Sequence, residues 1–177
     1  MKILIAYYSR KGNNYLGGSI KDLPVGNTEI AAGIIQKLTG GDTFKIEPVK
    51  DYPAGYDETT RVAQQEQRQN ARPQIVGRVD DIAEYDAVLL GYPNWWGTMP
   101  MPVYTFLEAY DFSGKTILPF CTHEGSGLGR SESDIKKLCP TAKIAKGLAI
   151  QGGHVQKADS AIASWLQEAG VVEGAKK

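Results

Sequence analysis

The sequence has little of what marks many functions. Two cysteines, Cys121 and Cys139, stand among 177 residues. They are too few for a disulfide scaffold and lack the C-x-x-C spacing of zinc or dithiol redox sites, so they read as reduced thiols. There are two histidines, His123 and His154, and nothing near them has zinc-ligand spacing. No metal site is expected. An excess of either charge is also missing: 20 Lys+Arg balance 20 Asp+Glu, which removes any whole-molecule attraction to nucleic acid or anionic membrane. No apolar run approaches the roughly 20 residues of a membrane span, and Met1-Lys2 leads into a strand-like segment instead of a signal peptide. The expectation is a cytosolic protein with neither membrane nor nucleic-acid partners. A G-x-x-x-x-G-K-[ST] loop is absent, and no G-x-G-x-x-G follows the first apolar run, so neither an NTPase nor a dinucleotide fold is supported.

What is present is an ordinary globular composition, 42% hydrophobic and 23% charged, at a length that suits one compact domain over 1–177. Lys2–Tyr8 is apolar on both parities, as expected of a strand buried on both faces of a parallel sheet. Similar runs recur at Thr43–Glu47, Ala87–Tyr92, Thr116–Cys121 and Ala145–Gln151. Helical patterns lie between and after them at Thr28–Leu38, Asp57–Asn70, Pro102–Ala109, Ser131–Leu138 and Gln156–Glu168. Such alternation predicts right-handed crossovers and a three-layer α/β/α sandwich around a five-stranded parallel sheet. Two stretches depart from it. The segment 11–25, rich in Gly and Asn, reads as an inserted loop between the first strand and its helix. Asp57–Asn70 is so polar that it reads as a solvated face.

In a doubly wound sheet the ligand sits beyond the carboxyl ends of the strands, which directs attention to the strand exits. Gly26-Asn27-Thr28-Glu29 opens a helix, where free amides and the helix dipole favour an anion; the Ser9 and Thr28 hydroxyls could complete a phosphate cradle. The plainer alternative is an ordinary N-cap at Asn27 or Thr28. The second exit runs Pro93-Asn94-Trp95-Trp96-Gly97-Thr98. Two adjacent loop tryptophans cannot both enter one small core, and a flat aromatic ligand would cover the exposed one. Asn94 could donate and accept toward a heterocycle edge, while Gly97 allows a main-chain amide close approach. The alternative places one Trp beneath the loop and the other on a neighbouring helix. The third exit, Thr122-His123-Glu124-Gly125-Ser126-Gly127, has a glycine-rich backbone that can wrap a ligand edge; His123 is a candidate proton donor, or a simple packing residue.

Together the three exits resemble the flavodoxin family. Ser9-Arg10 and Gly26-Asn27-Thr28-Glu29 match both ends of a Ser-Arg-Thr-Gly-Asn-Thr-Glu phosphate loop, interrupted by 11–25. Gly91-Tyr92-Pro93-Asn94-Trp95-Trp96-Gly97 is similar to the Tyr-Pro-x-Trp-Trp-Gly stretch of bacterial flavodoxin-like flavoproteins, and Thr122–Gly127 to their third flavin loop. The resemblance implies strand order 2-1-3-4-5 and bound FMN. Its phosphate would lie on Ser9 and Gly26–Thr28, its ring between the tryptophan loop and the third loop (Thr122, His123, Glu124, Gly125), with a Gly97 or Thr98 amide near the flavin nitrogen. Arg10 or Lys11 would neutralise phosphate charge. The implied function is electron transfer through FMN to a redox partner protein or a small-molecule acceptor. An NAD(P)H-dependent FMN or quinone reductase is the alternative, and a non-redox interaction module a third.

Overall fold

The computed structural model of the chain describes residues 1–174. Its elements run β1 (Ile3–Tyr7), β2 (Gly12–Leu16), β3 (Ser19–Leu23), α1 (Asn27–Thr39), β4 (Asp42–Lys45), α2 (Tyr56–Arg68), β5 (Ala87–Pro93), α3 (Met101–Glu108), β6 (Thr116–His123), α4 (Ser131–Leu138), β7 (Lys143–Ile144), β8 (Leu148–Gln151) and α5 (Asp159–Glu168).

β1 is buried along its whole length because both of its parities are apolar. Ile3 and Ile5 join Ala31, Ile35, Leu89, Leu118, Ile162 and Trp165 on the side of α1 and α5. Leu4 and Ala6 point the other way, into a core with Val88, Leu90, Val103, Phe106 and Ile135 beneath α3 and α4. Period-2 alternation thus divides one sheet between two helical layers. The main sheet is parallel throughout, in the order β4-β1-β5-β6-β7, with β8 also paired to β6. Counted along the chain this is 2-1-3-4-5, as expected.

Two local expectations are corrected. The fifth strand does not run unbroken through 145–151. Ala145 N still reaches Ile117 O at 2.9 Å, but the next backbone groups turn to side chains. Lys146 O accepts from Trp165 Nε1 at 2.9 Å and Gly147 N donates to Glu132 Oε1 at 3.3 Å, so the strand is split into β7 and β8. The inserted segment is not an irregular loop either. It forms the antiparallel hairpin β2–β3, closed by Gly17 and Gly18 with φ of 61° and 89°. Positive φ at both central residues defines the type I′ turn that matches the twist of paired strands.

Candidate functional site

β1, β5 and β6 end side by side, and the chain beyond each supplies one wall of a site at the switch point of the sheet. Beyond β1, Ser9 and Gly26 are brought together although the hairpin lies between them in sequence. A Cβ on Gly26 would collide with Ser9 Oγ and lie 2.6 Å from the Arg10 carbonyl. Gly26 is the N-cap of α1 and offers no side-chain bond. Ser9 Oγ instead accepts from Glu29 N at 3.0 Å, and Ile30 N is the first to find a helical acceptor, Gly26 O at 3.2 Å. The amides of Asn27 and Thr28 have no partner among the described residues, and the helix dipole adds partial positive charge there. The capping side chain is thus Ser9 and not the Asn27 or Thr28 of the plainer alternative. The Thr28 hydroxyl pairs with Thr122 Oγ1 at 2.7 Å, both buried, which ties the α1 start to β6.

Beyond β5, Trp95 N donates to Thr98 O at 2.8 Å and Thr98 N to Trp95 O at 3.3 Å. Trp96 and Gly97 stand between them at φ 54° and 83°, a second type I′ turn. An aromatic residue in the left-handed region costs roughly 1–2 kcal/mol. Bonds on every side hold it. Gly97 N donates to Asn94 Oδ1 at 3.0 Å, Gly97 O accepts from Arg130 N at 2.8 Å, and Trp96 O accepts from Gln67 Nε2 at 3.2 Å. Trp95 packs edge-on against Tyr8 and Tyr52, with centroids 5.3 and 5.0 Å away. Trp96 is 47% exposed and donates its indole N–H to Thr60 O on α2 at 2.9 Å. The tryptophans thus adopt the packing arrangement, one beneath the loop and one on a helix, while both still face the cavity. Three of the expected site residues also have partners within the protein. Asn94 uses its amide inside the protein, Nδ2 donating to Gly127 O at 2.8 Å. The Gly97 and Thr98 amides are engaged within the loop. Thr98 is fully buried, its hydroxyl bonded to Asp134 Oδ2 at 2.6 Å and paired with Tyr104 OH at 2.9 Å. Tyr104 also donates to Asp134, at 2.5 Å. Burial and this carboxylate push the phenol up to about 12, so the hydroxyl stays a donor and anchors the turn.

Beyond β6, His123 Nδ1 accepts from Gly125 N at 2.9 Å, which leaves Nε2 to carry the proton of the neutral ring. Glu124 Oε2 accepts from Gly17 N at the hairpin tip, 3.0 Å away. Its Oε1 is buried without a partner. Tyr92 OH donates to Ser131 Oγ at 2.8 Å, and Ser131 Oγ donates to Leu128 O at 2.6 Å, so α4 braces the loop.

Two adjoining cavities result. One, about 250 Å³, runs past Ser9, Asn27, Thr28, Thr122, His123 and Glu124. The other, about 600 Å³, lies between the tryptophan turn and α2. Pro93, Asn94 and Trp95 border the first as well. Sequence reasoning placed nothing on α2 or the hairpin, yet Tyr56, Thr59, Thr60 and Ala63 wall the wide cavity, and Asn14 borders both. The small side chains Thr59 and Ala63, four apart and both buried on α2, are the signal that could have revealed that wall. Burial raises the Tyr56 phenol, with further contributions from Asp57, Tyr15 and Glu124. Arg10 borders both cavities, and its guanidinium donates to Asn13 O, to Pro53 O and Ala54 O at 3.0 Å each, and to Thr59 Oγ1 at 3.2 Å, at the start of α2. Lys11 is exposed. Among the described residues no group of three or more His, Cys, Asp or Glu could hold a metal ion, and no helix is long and apolar enough to cross a membrane.

A parallel 2-1-3-4-5 sheet between two helical layers, with helix-start amides and an aromatic turn at its switch point, places this chain among the flavodoxin-like α/β proteins. Residues 2–169 match the model of the Flavodoxin family, and the chain belongs to that family. Among solved structures it is similar to a Bacteroides eggerthii protein provisionally described as a flavoprotein, at 30% identity and TM-score 0.78, covering 97% of this chain and 99% of that one. A Bacteroides uniformis protein described in the same way has 26% identity and TM-score 0.72, over 94% and 97% of the two chains. A flavoprotein of Lactobacillus acidophilus, solved in complex with FMN, has 21% identity and TM-score 0.64, over 93% and 97%. No curated protein matches the chain.

Proposed function

We propose that the chain binds FMN across the two cavities and passes electrons through it. The observation that carries this reading is the cradle beyond β1: two unpartnered amides at a helix start, with Gly26 pressed so closely on Ser9 that no side chain fits between them. A terminal phosphate suits such a site without a lysine. The residues fit the rest of the molecule too. The buried, unpartnered Glu124 Oε1 can accept from a ribityl hydroxyl, and the tryptophan turn and α2 offer an aromatic, largely apolar slot for the ring. Bound FMN would supply the electron chemistry; the chain supplies binding and electrostatics.

The electron acceptor is a partner protein or a small molecule. The α2 wall of the wide cavity favours the small molecule as a second reading, an NAD(P)H-dependent FMN or quinone reductase, because it gives a planar reactant a bounded place beside the ring. The free, buried thiols of Cys121 and Cys139 support a reducing compartment such as the cytosol. Flavin titration tests the first claim: near-stoichiometric uptake of FMN, with FAD weaker, is expected, and absence of flavin binding refutes it. Steady-state oxidation of NADPH or NADH with a quinone then separates the readings. Rapid turnover identifies a reductase, and flavin reduction only through a partner reductase identifies a carrier.

A further inference from the structure

We propose that Arg10 sets a fixed positive charge against the cavity of the flavin ring and favours the reduced flavin, a role that rests on the FMN reading above. Four hydrogen bonds hold its guanidinium, and every acceptor is neutral: the carbonyls of Asn13, Pro53 and Ala54 and the hydroxyl of Thr59. None of the ion pairs among the described residues involves it. The titratable groups that act on it are two phenols, Tyr8 and Tyr56, and partial burial is the main influence, holding the group below its ordinary value. An arginine keeps its proton under such pressure. A half-buried cation without a counter-charge is costly on its own, and that cost falls when an anion comes close.

FMN offers two sources of negative charge, the phosphate and the ring once reduced. The geometry points to the ring. The Arg10 carbonyl faces Gly26 and the cradle, whereas its guanidinium is bonded at the start of α2. Arg10 borders both cavities, but Thr59, one of its guanidinium's acceptors, borders only the wide one, beside Thr60 and Ala63 and opposite Trp95 and Trp96. The helix-start amides already serve a phosphate, and the four bonds keep the guanidinium from swinging toward it. A cation beside the ring stabilises the more negative redox state and so raises the reduction potential.

The test is a redox titration against reference dyes, with the protein loaded with FMN and, separately, with riboflavin, which lacks the phosphate. Arg10→Gln removes the charge and Arg10→Met removes it while keeping the apolar stem, so one reports if the other fails to fold. In both, the preference for reduced over oxidised flavin should drop about tenfold, a fall of about 30 mV for a two-electron couple, and by similar amounts with either flavin. Arg10→Lys should stay near the wild-type potential. Wild-type potentials in both neutral variants overturn the proposal. So does a variant that weakens FMN binding while the riboflavin potential holds, since that places the charge on the phosphate. A protein that binds neither flavin fails at the earlier step and refutes the FMN reading itself.

Discussion

Replacing Gly26 with Ala tests the cradle at its tightest point. The added Cβ would collide with Ser9 Oγ and stand 2.6 Å from the Arg10 carbonyl carbon's oxygen, and a backbone group cannot be cleared by a change of rotamer. Overpacking of this kind costs about 1–3 kcal/mol. Displacing Ser9 also breaks its 3.0 Å bond from Glu29 N, a loss of about 1 kcal/mol. Urea unfolding of the flavin-free protein should therefore show a loss of about 2–4 kcal/mol in all. Binding should respond selectively: the variant should lose FMN affinity by about tenfold or more relative to riboflavin, each factor of ten being about 1.4 kcal/mol. Gly153→Ala is the control, because a Cβ there meets nothing within 4 Å and stability should change by less than about 0.5 kcal/mol. If Gly26→Ala matches wild type in both stability and FMN affinity, the close packing of Ser9 on Gly26 has no role in the site. If it loses stability but weakens FMN and riboflavin equally, the phosphate lies elsewhere.

Thr28→Val leaves the buried Thr122 hydroxyl without its 2.7 Å partner and should cost about 1–3 kcal/mol, while Thr28→Val with Thr122→Val together should recover most of it; additive losses in a denaturation cycle would refute the coupling. Gly97→Val places a β-branched residue at φ 83° and should cost more than about 1 kcal/mol. If FMN binds there, its potential should shift more than its oxidised-state affinity, and an unchanged potential in the folded, loaded variant assigns Gly97 to turn geometry alone. Burial pushes the Cys121 thiol from 9.0 up to about 12. The unfolded thiol ionises first, so its contribution to stability is complete below about pH 9 and is lost as pH rises toward about 12, by at most about 1.4 kcal/mol per pH unit. Cys121→Ala should flatten that slope in unfolding titrations between pH 8 and about 10.5, and the native protein should react slowly with thiol reagents.

The alternation of buried strands and amphipathic helices was legible because each element is covered in a way that leaves a periodic trace. β1 and β5 are apolar on both parities, and α1 carries its apolar residues on one stripe. The hairpin left no such trace. Tyr15 and Ile20 are exposed and no residue of either hairpin strand is buried, so burial imposes no alternation. Its one readable signal was Gly17-Gly18 flanked by pairable strands. The strand break at 145–147 depends on Trp165 and Glu132, distant in sequence, competing for backbone groups that a sheet would otherwise use. The left-handed Trp96 was equally hidden, since nothing local asks an aromatic residue to take positive φ. Hydrogen bonds from α2, α4 and Asn94 over-determine that conformation. The start of α1 at Gly26–Thr28 was legible because helix starts are local; the bonds that hold Arg10, Asn94 and Thr98 were not, because each depends on a partner supplied by another loop or helix.

The hairpin also shows how a strand-to-helix loop can be interrupted and its two ends kept together. The chain leaves the sheet after Ser9, makes a ladder from Gly12↔Leu23 to Leu16↔Ser19, and returns at Gly26 against Ser9 itself. A closed antiparallel ladder brings its own ends together, so the loop-closure cost falls on the hairpin and not on the cradle. The base is tied down: Asn14 Nδ2 donates to Arg10 O at 2.8 Å and Gly12 O at 3.2 Å. Tyr15 lies against Tyr56 with centroids 6.2 Å apart, and Gly17 N reaches Glu124. The insertion thereby links the exits of β1 and β6 to α2 and becomes a wall of the site. That link has a physical consequence at Glu124. One of its oxygens is held by the hairpin tip, and the other is buried without a partner. An unpaired buried acceptor costs about 1–3 kcal/mol, a cost that a hydroxyl-bearing ligand donating to it would relieve. The hairpin therefore does not merely border the cavity; by fixing Glu124 it keeps an acceptor ready in the cavity that Ser9, Asn27 and Thr28 also line.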